Sequence, residues 1–361
     1  MRIVAVYLGN SIPDYFWMHI RHLLRIQAEY QIDVVTSCKI DSEPLSDMRL
    51  NYHTYTPRIE VSESLDSLAM DAKFRNGFWR YSLERLFAVT DHHKKFPQES
   101  LIHIESDVLP LRNFPFHIFK NSEKLAWSRV DSYRDVAAIV FSPNVAASTW
   151  LSEKMMSEIG IARETDDMKV LGEISAKYSP EIDVLPSLSH QKSNLGNRNL
   201  NTDHDDFYSI SSHFTKFNGI FDPAGIGIWL TGTEPRNYFG VTKKFDSKSN
   251  VGSKAFINPG NVDYSFDDQG RLMLTSEGEL TQVYSLHIHS KNLKYFSDQF
   301  ERHIYQDVQR SISGRVKLEF SYRILFTLII QNLQNRTLIQ FLSWLPGIRR
   351  LKELNARRKS V

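Results

Sequence analysis

The 361-residue chain is 41% hydrophobic and 24% charged, a composition that excludes a disordered chain or a fibrous repeat. Its single cysteine, Cys38, excludes an internal disulfide and a cysteine-based zinc centre, and points to a reducing compartment. The net charge of +2 is uneven: residues 301–361 carry twelve Lys/Arg against four Asp/Glu, so the remainder is mildly acidic and a basic tail follows it.

Arg2–Leu8 (RIVAVYL) is dominated by apolar β-formers and ends in Gly9-Asn10, which predicts a buried strand and a loop. Asp14 to about Tyr30 keeps Phe16, Ile20, Leu23, Leu24 and Ala28 at helical spacing, and Ile32–Thr36 predicts a second strand. Residues 40–73 are polar and mixed and predict no definite element. Phe78–Thr90 reads as a helix ended by the charged His92–Lys95 cluster. Leu101–Glu105 is a short buried strand running into Ser106-Asp107. A strand over Val136–Ser142, a helix over Asn144–Ile159 and a helix over Asp167–Tyr178 follow. Residues 186–216 are rich in Ser, Asn, His and Asp and read as a long surface loop or flap. Residues 219–240 hold five glycines and two prolines around an apolar run, fit to line a substrate. Tyr284–His289 predicts a last strand, and helix is expected after Tyr295. Alternating strands and helices predict an α/β body. The opening apolar run is too short for a signal-peptide core, and no stretch approaches the roughly 18–20 apolar residues of a membrane span, so a cytoplasmic location is expected.

The segment Leu101–Pro110 (LIHIESDVLP) carries the first chemical signal. A strand ending in Glu-x-Asp sets two carboxylates at the carboxyl edge of a sheet, where open α/β folds bind ligands. Such a pair suits a divalent cation, Mg²⁺ or Mn²⁺, between the protein and substrate phosphates. A solvated turn explains an isolated Glu-x-Asp equally well. The second signal is Leu286–Lys291 (LHIHSK). In a strand, His287 and His289 share a face while Ile288 points into the core. Imidazole is a ligand for Mn²⁺, and Lys291 suits a phosphate; a pair of structurally hydrogen-bonded histidines is the plain alternative.

The two signals, in this order along the chain, resemble the GT-A glycosyltransferases that use nucleotide-sugar donors, and more closely the bacterial enzymes that build surface polysaccharides. The resemblance runs from Arg2 to Tyr295. It covers the first donor strand (RIVAVYLGNSIP), the helix FWRYSLER, IESDVL in the place of the family's D-x-D, DDMKVL over Asp166–Leu171, the Gly-rich FDPAGIGIWLTGTEPRN, and His287–Lys291. It implies a Rossmann-like mixed sheet flanked by helices over 1–299, with a helical, basic extension over 300–361. It implies a hexosyltransferase that moves a sugar from a nucleotide-sugar donor to a glycan or lipid-linked acceptor with Mn²⁺ or Mg²⁺. Asp107, Glu105, His289 and His287 are then the metal ligands; because Glu105 replaces the family's first Asp, Asp107 is the better direct ligand. Donor contacts fall to Tyr7, Gly9, Asn10, Arg85, Glu105, Ser106, Arg236 and Lys291.

The candidate general bases are Asp167, Asp166 and Asp222, ranked Asp167 first, and they apply if the reaction inverts configuration. Asp166 equally reads as the N-cap of the following helix and Asp222 as a turn former before Pro223. Arg85 either reaches a phosphate or covers its helix. Residues 320–345 form an apolar helical pattern with a narrow polar stripe, followed by IRRLKELNARRKSV. That arrangement suits either an anionic membrane surface, on the inner face of the cytoplasmic membrane, or packing on the body. The acidic body and absence of a recognised module argue against a nucleic-acid partner. Two rival functions are a sugar nucleotidyltransferase, disfavoured by a first loop without Lys or Arg, and a non-catalytic membrane-associated binding protein.

Overall fold

The structure is a computed structural model that describes residues 1–40, 45–68, 77–131, 134–161, 165–189, 210–231, 263–276, 278–288, 293–297 and 299–312. The chain divides into two compact units, Met1–Gln309 and Arg310–Val361. The elements named below lie in the first, apart from the last three residues of the final helix.

The first unit is built on a seven-stranded sheet in the order β3-β2-β1-β4-β7-β6-β8. Its strands are β1 (Arg2–Tyr7), β2 (Gln31–Thr36), β3 (Leu50–Thr54), β4 (Leu101–Ile104), β6 (Leu125–Asp131), β7 (Arg134–Ser142) and β8 (Ile182–Leu185). Six strands run one way, and β7 runs against both neighbours. β1 sits near the middle with Ile3 to Val6 all buried, the continuous apolar run that a strand covered on both faces requires. Its side chains divide by period two. Ile3 and Ala5 pack with Phe16, Ile20 and Leu23 of α1 (Asp14–Ile26) on one face. Val4 and Val6 pack with Ala88 and Val89 of α3 (Phe78–His93) on the other. α2 (Ile59–Asp66), α5 (Val145–Ile161) and α6 (Asp167–Lys177) complete that second layer around Trp127, Leu151, Met155 and Leu171. Burying each such Leu, Val or Phe contributes about 1.5–3 kcal/mol.

A smaller sheet joins β5 (Val108–Pro110), β12 (Glu279–His287), β11 (Leu272–Ser276) and β10 (Asp263–Phe266), with β9 (Ile220–Phe221) alongside β12. The short helices α4 (Phe116–Lys120), α7 (Phe214–Phe217) and α8 (Gly225–Thr231) and the longer α9 (Phe300–Ile312) cover it and its junction with the main sheet. No helix among the described residues is long and apolar enough to cross a membrane.

The α/β expectation holds, and so do the first strand, its helix and the strand at 101–104. Three differences have physical causes. β3 and α2 fall in the segment that predicted no element, because β3 is an edge strand whose residues are mostly half-buried. α3 continues through His93 rather than stopping at Thr90: His92 meets Asp33 and His93 meets Ser148 and the Glu99 carbonyl, so both histidines turn inward. β12 begins at Glu279, five residues earlier than predicted, as an alternating stretch paired to β11. Most of the predicted flap (190–209) and the tail from 313 lie outside the described residues.

Candidate active site

The acidic motif is the hinge between the two sheets. β4 ends at Ile104, the Glu105 amide donates to Ala138 O (2.9 Å) on β7, and Val108 N closes a tight turn onto Glu105 O (2.9 Å). β5 then enters the smaller sheet antiparallel to β12, with Val108 opposite His287 and Leu109 opposite Leu286. The Ile288 amide donates to Asp107 O at 2.6 Å. This register, rather than proximity in sequence, brings His287 to the acidic turn. Its Nε2 stands 3.5 Å from Asp107 Oδ1, and both side chains are buried. Ligating atoms of Glu105, Asp107 and His287 all lie within 4.8 Å of one another.

His287 is aimed by a second device. Its Nδ1 lies 2.8 Å from Pro223 O. A carbonyl only accepts, so Nδ1 carries the proton and Nε2 is the nitrogen presented to Asp107. Asp222, just before that proline, is buried and accepts three backbone N–H bonds, from Ile226 (2.9 Å), Gly227 (2.6 Å) and His287 itself (3.1 Å). It therefore caps α8 and clamps the end of β12; burial pushes its carboxyl pKa up, and the three amides hold it back. The clamp needs a bare backbone at Gly227, where a Cβ would overlap the His287 carbonyl. Gly227→Ala is accordingly expected to lower the melting temperature and weaken divalent-metal affinity together, read by thermal melts and metal titration of the same sample.

Burial alone would lower the His287 pKa, but the Asp107 charge and hydrogen bond, with help from Glu105 and the Pro223 carbonyl, push it up to about 9. Asp107 thus faces a protonated His287 at neutral pH. A donor set of two carboxylates and one imidazole fits Mn²⁺ or Mg²⁺ in place of that proton.

Beside this cluster, Arg85 of α3 is buried and pairs with Glu105 and, through Nη2, with Asp167 Oδ2 at 3.3 Å. Glu105 therefore shares its charge with Arg85, which leaves Asp107 as the stronger cation ligand. Asp167 lies in the first turn of α6 and is buried; that burial raises its pKa to about 6, against the pull of Arg85 and with a push from Glu105 and Asp166. Asp166 is the N-cap of α6, accepting from Lys169 N at 2.9 Å. Of the three candidate bases, then, Asp166 and Asp222 engage backbone amides and Asp167 faces the Arg85–Glu105 pair.

Tyr7, Gly9 and Asn10 lie at the carboxyl end of β1, the edge at which Glu105, Ser106 and Asp107 follow β4. Ser37 and Cys38, after β2, reach this loop: Ser37 Oγ accepts from Gly9 N at 3.1 Å and the Cys38 thiol donates to Gly9 O at 2.9 Å. His289, Lys291 and Arg236 lie outside the described residues. The sequence reading missed His19 and His22, which occupy the buried stripe of α1 among Phe16, Ile20 and Leu23. His22 Nε2 meets Pro110 O at 2.6 Å, and His19, held neutral by burial with its pKa near 3, senses the Asp107 charge. Their spacing within an apolar stripe was the available signal.

No protein family and no curated protein matches the chain. Among solved structures it is similar to the galactosyltransferase LgtC in complex with donor and acceptor sugar analogues (12% identity, 58% of this chain and 83% of that one, TM-score 0.39). It is also similar to mouse xyloside xylosyltransferase 1 (11% identity, 58% and 92%, TM-score 0.34) and to a glycosyltransferase that acts in glycosylation of the PBCV-1 major capsid (12% identity, 51% and 82%, TM-score 0.32).

Proposed function

We propose that the chain is a metal-dependent glycosyltransferase that takes a sugar from a nucleotide-sugar donor and passes it to a glycan or lipid-linked acceptor, in bacterial surface-polysaccharide synthesis. The observation that carries this reading is the Glu105–Asp107–His287 cluster, assembled by two sheets at the carboxyl edge of β4. Asp107, His287 and Glu105 would hold a divalent cation, which would supply charge neutralisation for a departing nucleoside diphosphate. Tyr7, Gly9 and Asn10, with Ser37 behind them, line the adjoining edge for the nucleoside. Arg85 pairs with both Glu105 and Asp167 and fixes their carboxylates side by side. Asp167, with a pKa near 6, is ionised at neutral pH and accepts the acceptor hydroxyl's proton. His289, Lys291 and Arg236 complete the donor side in this reading, and the basic tail favours an anionic membrane surface next to a lipid-linked acceptor.

The test is turnover of UDP-, GDP-, CDP- and ADP-sugars by the full chain with and without Mn²⁺, followed by NMR. Metal-dependent release of free sugar and nucleotide from one donor class supports the assignment. Pyrophosphate formed from a nucleoside triphosphate and a sugar 1-phosphate would replace it with a nucleotidyltransferase.

A further inference from the structure

A second cluster of ligating side chains lies on the α3 face of the main sheet, toward the amino ends of β1 and β2 and away from the acidic turn. Asp33 on β2 is fully buried. Its Oδ2 faces His92 Nε2 at 2.8 Å, and its Oδ1 faces His53 Nε2 of β3 at 3.7 Å. The two imidazole rings are 4.5 Å apart between centroids, and ligating atoms of all three residues fall within 4.8 Å of one another. Arg2 Nη1 bridges both carboxylate oxygens at 2.9 and 3.0 Å while its Nε holds Glu99 at 2.9 Å, and Asn51 donates to Oδ1 at 2.9 Å. The carboxylate is thus fixed in orientation by groups other than the histidines.

Two details distinguish this set from an ordinary buried ion pair. Among the described residues, His53 Nε2 is buried with no hydrogen-bond partner, although it stands beside a carboxylate. His92 is buried at the end of α3, and its Nδ1 likewise has no hydrogen-bond partner among the described residues. Two imidazoles and one carboxylate form a three-ligand set of the kind that binds zinc. The active-site cluster has the opposite balance, two carboxylates and one imidazole, and suits harder cations.

We infer that Asp33, His53 and His92 form a second metal site, selective for Zn²⁺ over Mn²⁺ and Mg²⁺, that ties β2 and β3 to the far end of α3. On binding, the proton that His92 Nε2 now shares with Asp33 Oδ2 shifts to His92 Nδ1, and Nε2 of both histidines bonds the metal. His92 lies seven residues, two helical turns, beyond Arg85 on the same face of α3, so zinc here stiffens the helix that carries Arg85.

The test is a zinc titration of the full chain carrying Asp107→Asn, which silences the active-site cluster, compared with Asp107→Asn/His53→Asn. Among the described residues His53 makes no hydrogen bond through Nε2, so its replacement leaves the Asp33 bonds to Arg2, His92 and Asn51 in place; an unchanged metal-free melting temperature checks this, and His92→Gln serves if it fails. Expected are one zinc per chain, roughly a 100-fold loss of affinity in the double variant, and a zinc-dependent rise of roughly 5 °C in the melting temperature of the single variant only. Co²⁺ in place of zinc gives visible four-coordinate absorption that disappears with His53. Absence of stoichiometric zinc binding in Asp107→Asn, or zinc affinity indifferent to both His53 and His92, overturns the inference.

Discussion

Asp107→Asn is expected to lower metal-dependent turnover of the nucleotide-sugar donor about a thousandfold, equivalent to about 4 kcal/mol of barrier. The amide keeps the volume of the side chain and removes its charge. Glu105 is already paired with Arg85, so at the proposed metal site the substitution would leave a divalent cation one shared carboxylate and one imidazole. His287 loses the chief group that raises its pKa to about 9, so its pKa falls. The metal-free fold depends little on this change, because the Ile288 bond to Asp107 uses the backbone carbonyl and the His287 ring stays on Pro223. Thermal melts without metal and steady-state rates with Mn²⁺, taken on one preparation, separate the two effects.

The second large effect concerns Asp167. A carboxyl whose pKa is raised to about 6 is protonated below that pH and ionised above it, so a rate that needs it as a base climbs with pH through about 6 and levels off by pH 7. Asp167→Asn is expected to cost about 10²–10⁴ in turnover and to abolish this acidic limb. Arg85 pulls the Asp167 pKa down, so Arg85→Gln moves the limb to higher pH while turnover falls. The pH–rate profiles of the three proteins, each measured at saturating metal, check this; an acidic limb that survives in Asp167→Asn removes the residue from proton transfer and leaves it a positioning role beside Arg85.

The features legible in the sequence were those that follow a local period. β1 reads as an apolar run because both faces are covered, and the strand at 101–104 reads the same way before its acidic end. His287 could be placed on a strand face by alternation, and Ile288 in the core, where it is fully buried. What could not be read was set by partners far along the chain. LIHIESDVLP reads as one strand and its end, whereas Val108–Pro110 is a separate three-residue strand whose existence depends on β12, about 175 residues later. Asp222 offered two plausible local roles, and its third amide partner, His287, lies 65 residues away. His92 and His93 look like a charged helix end until Asp33, Ser148 and the Glu99 carbonyl are brought against them. Asp166 was the more local case, since capping is decided three residues on, at Lys169.

The most direct measurement is calorimetric titration of UDP, GDP, CDP and ADP into the full chain, with and without Mn²⁺, beside Asp107→Asn. The proposed site predicts that one nucleoside diphosphate binds tightly, that Mn²⁺ is required, and that Asp107→Asn loses the binding. Failure of every nucleotide to bind under either condition, or binding indifferent to both the metal and Asp107, would contradict a metal-dependent donor site at the junction of the two sheets.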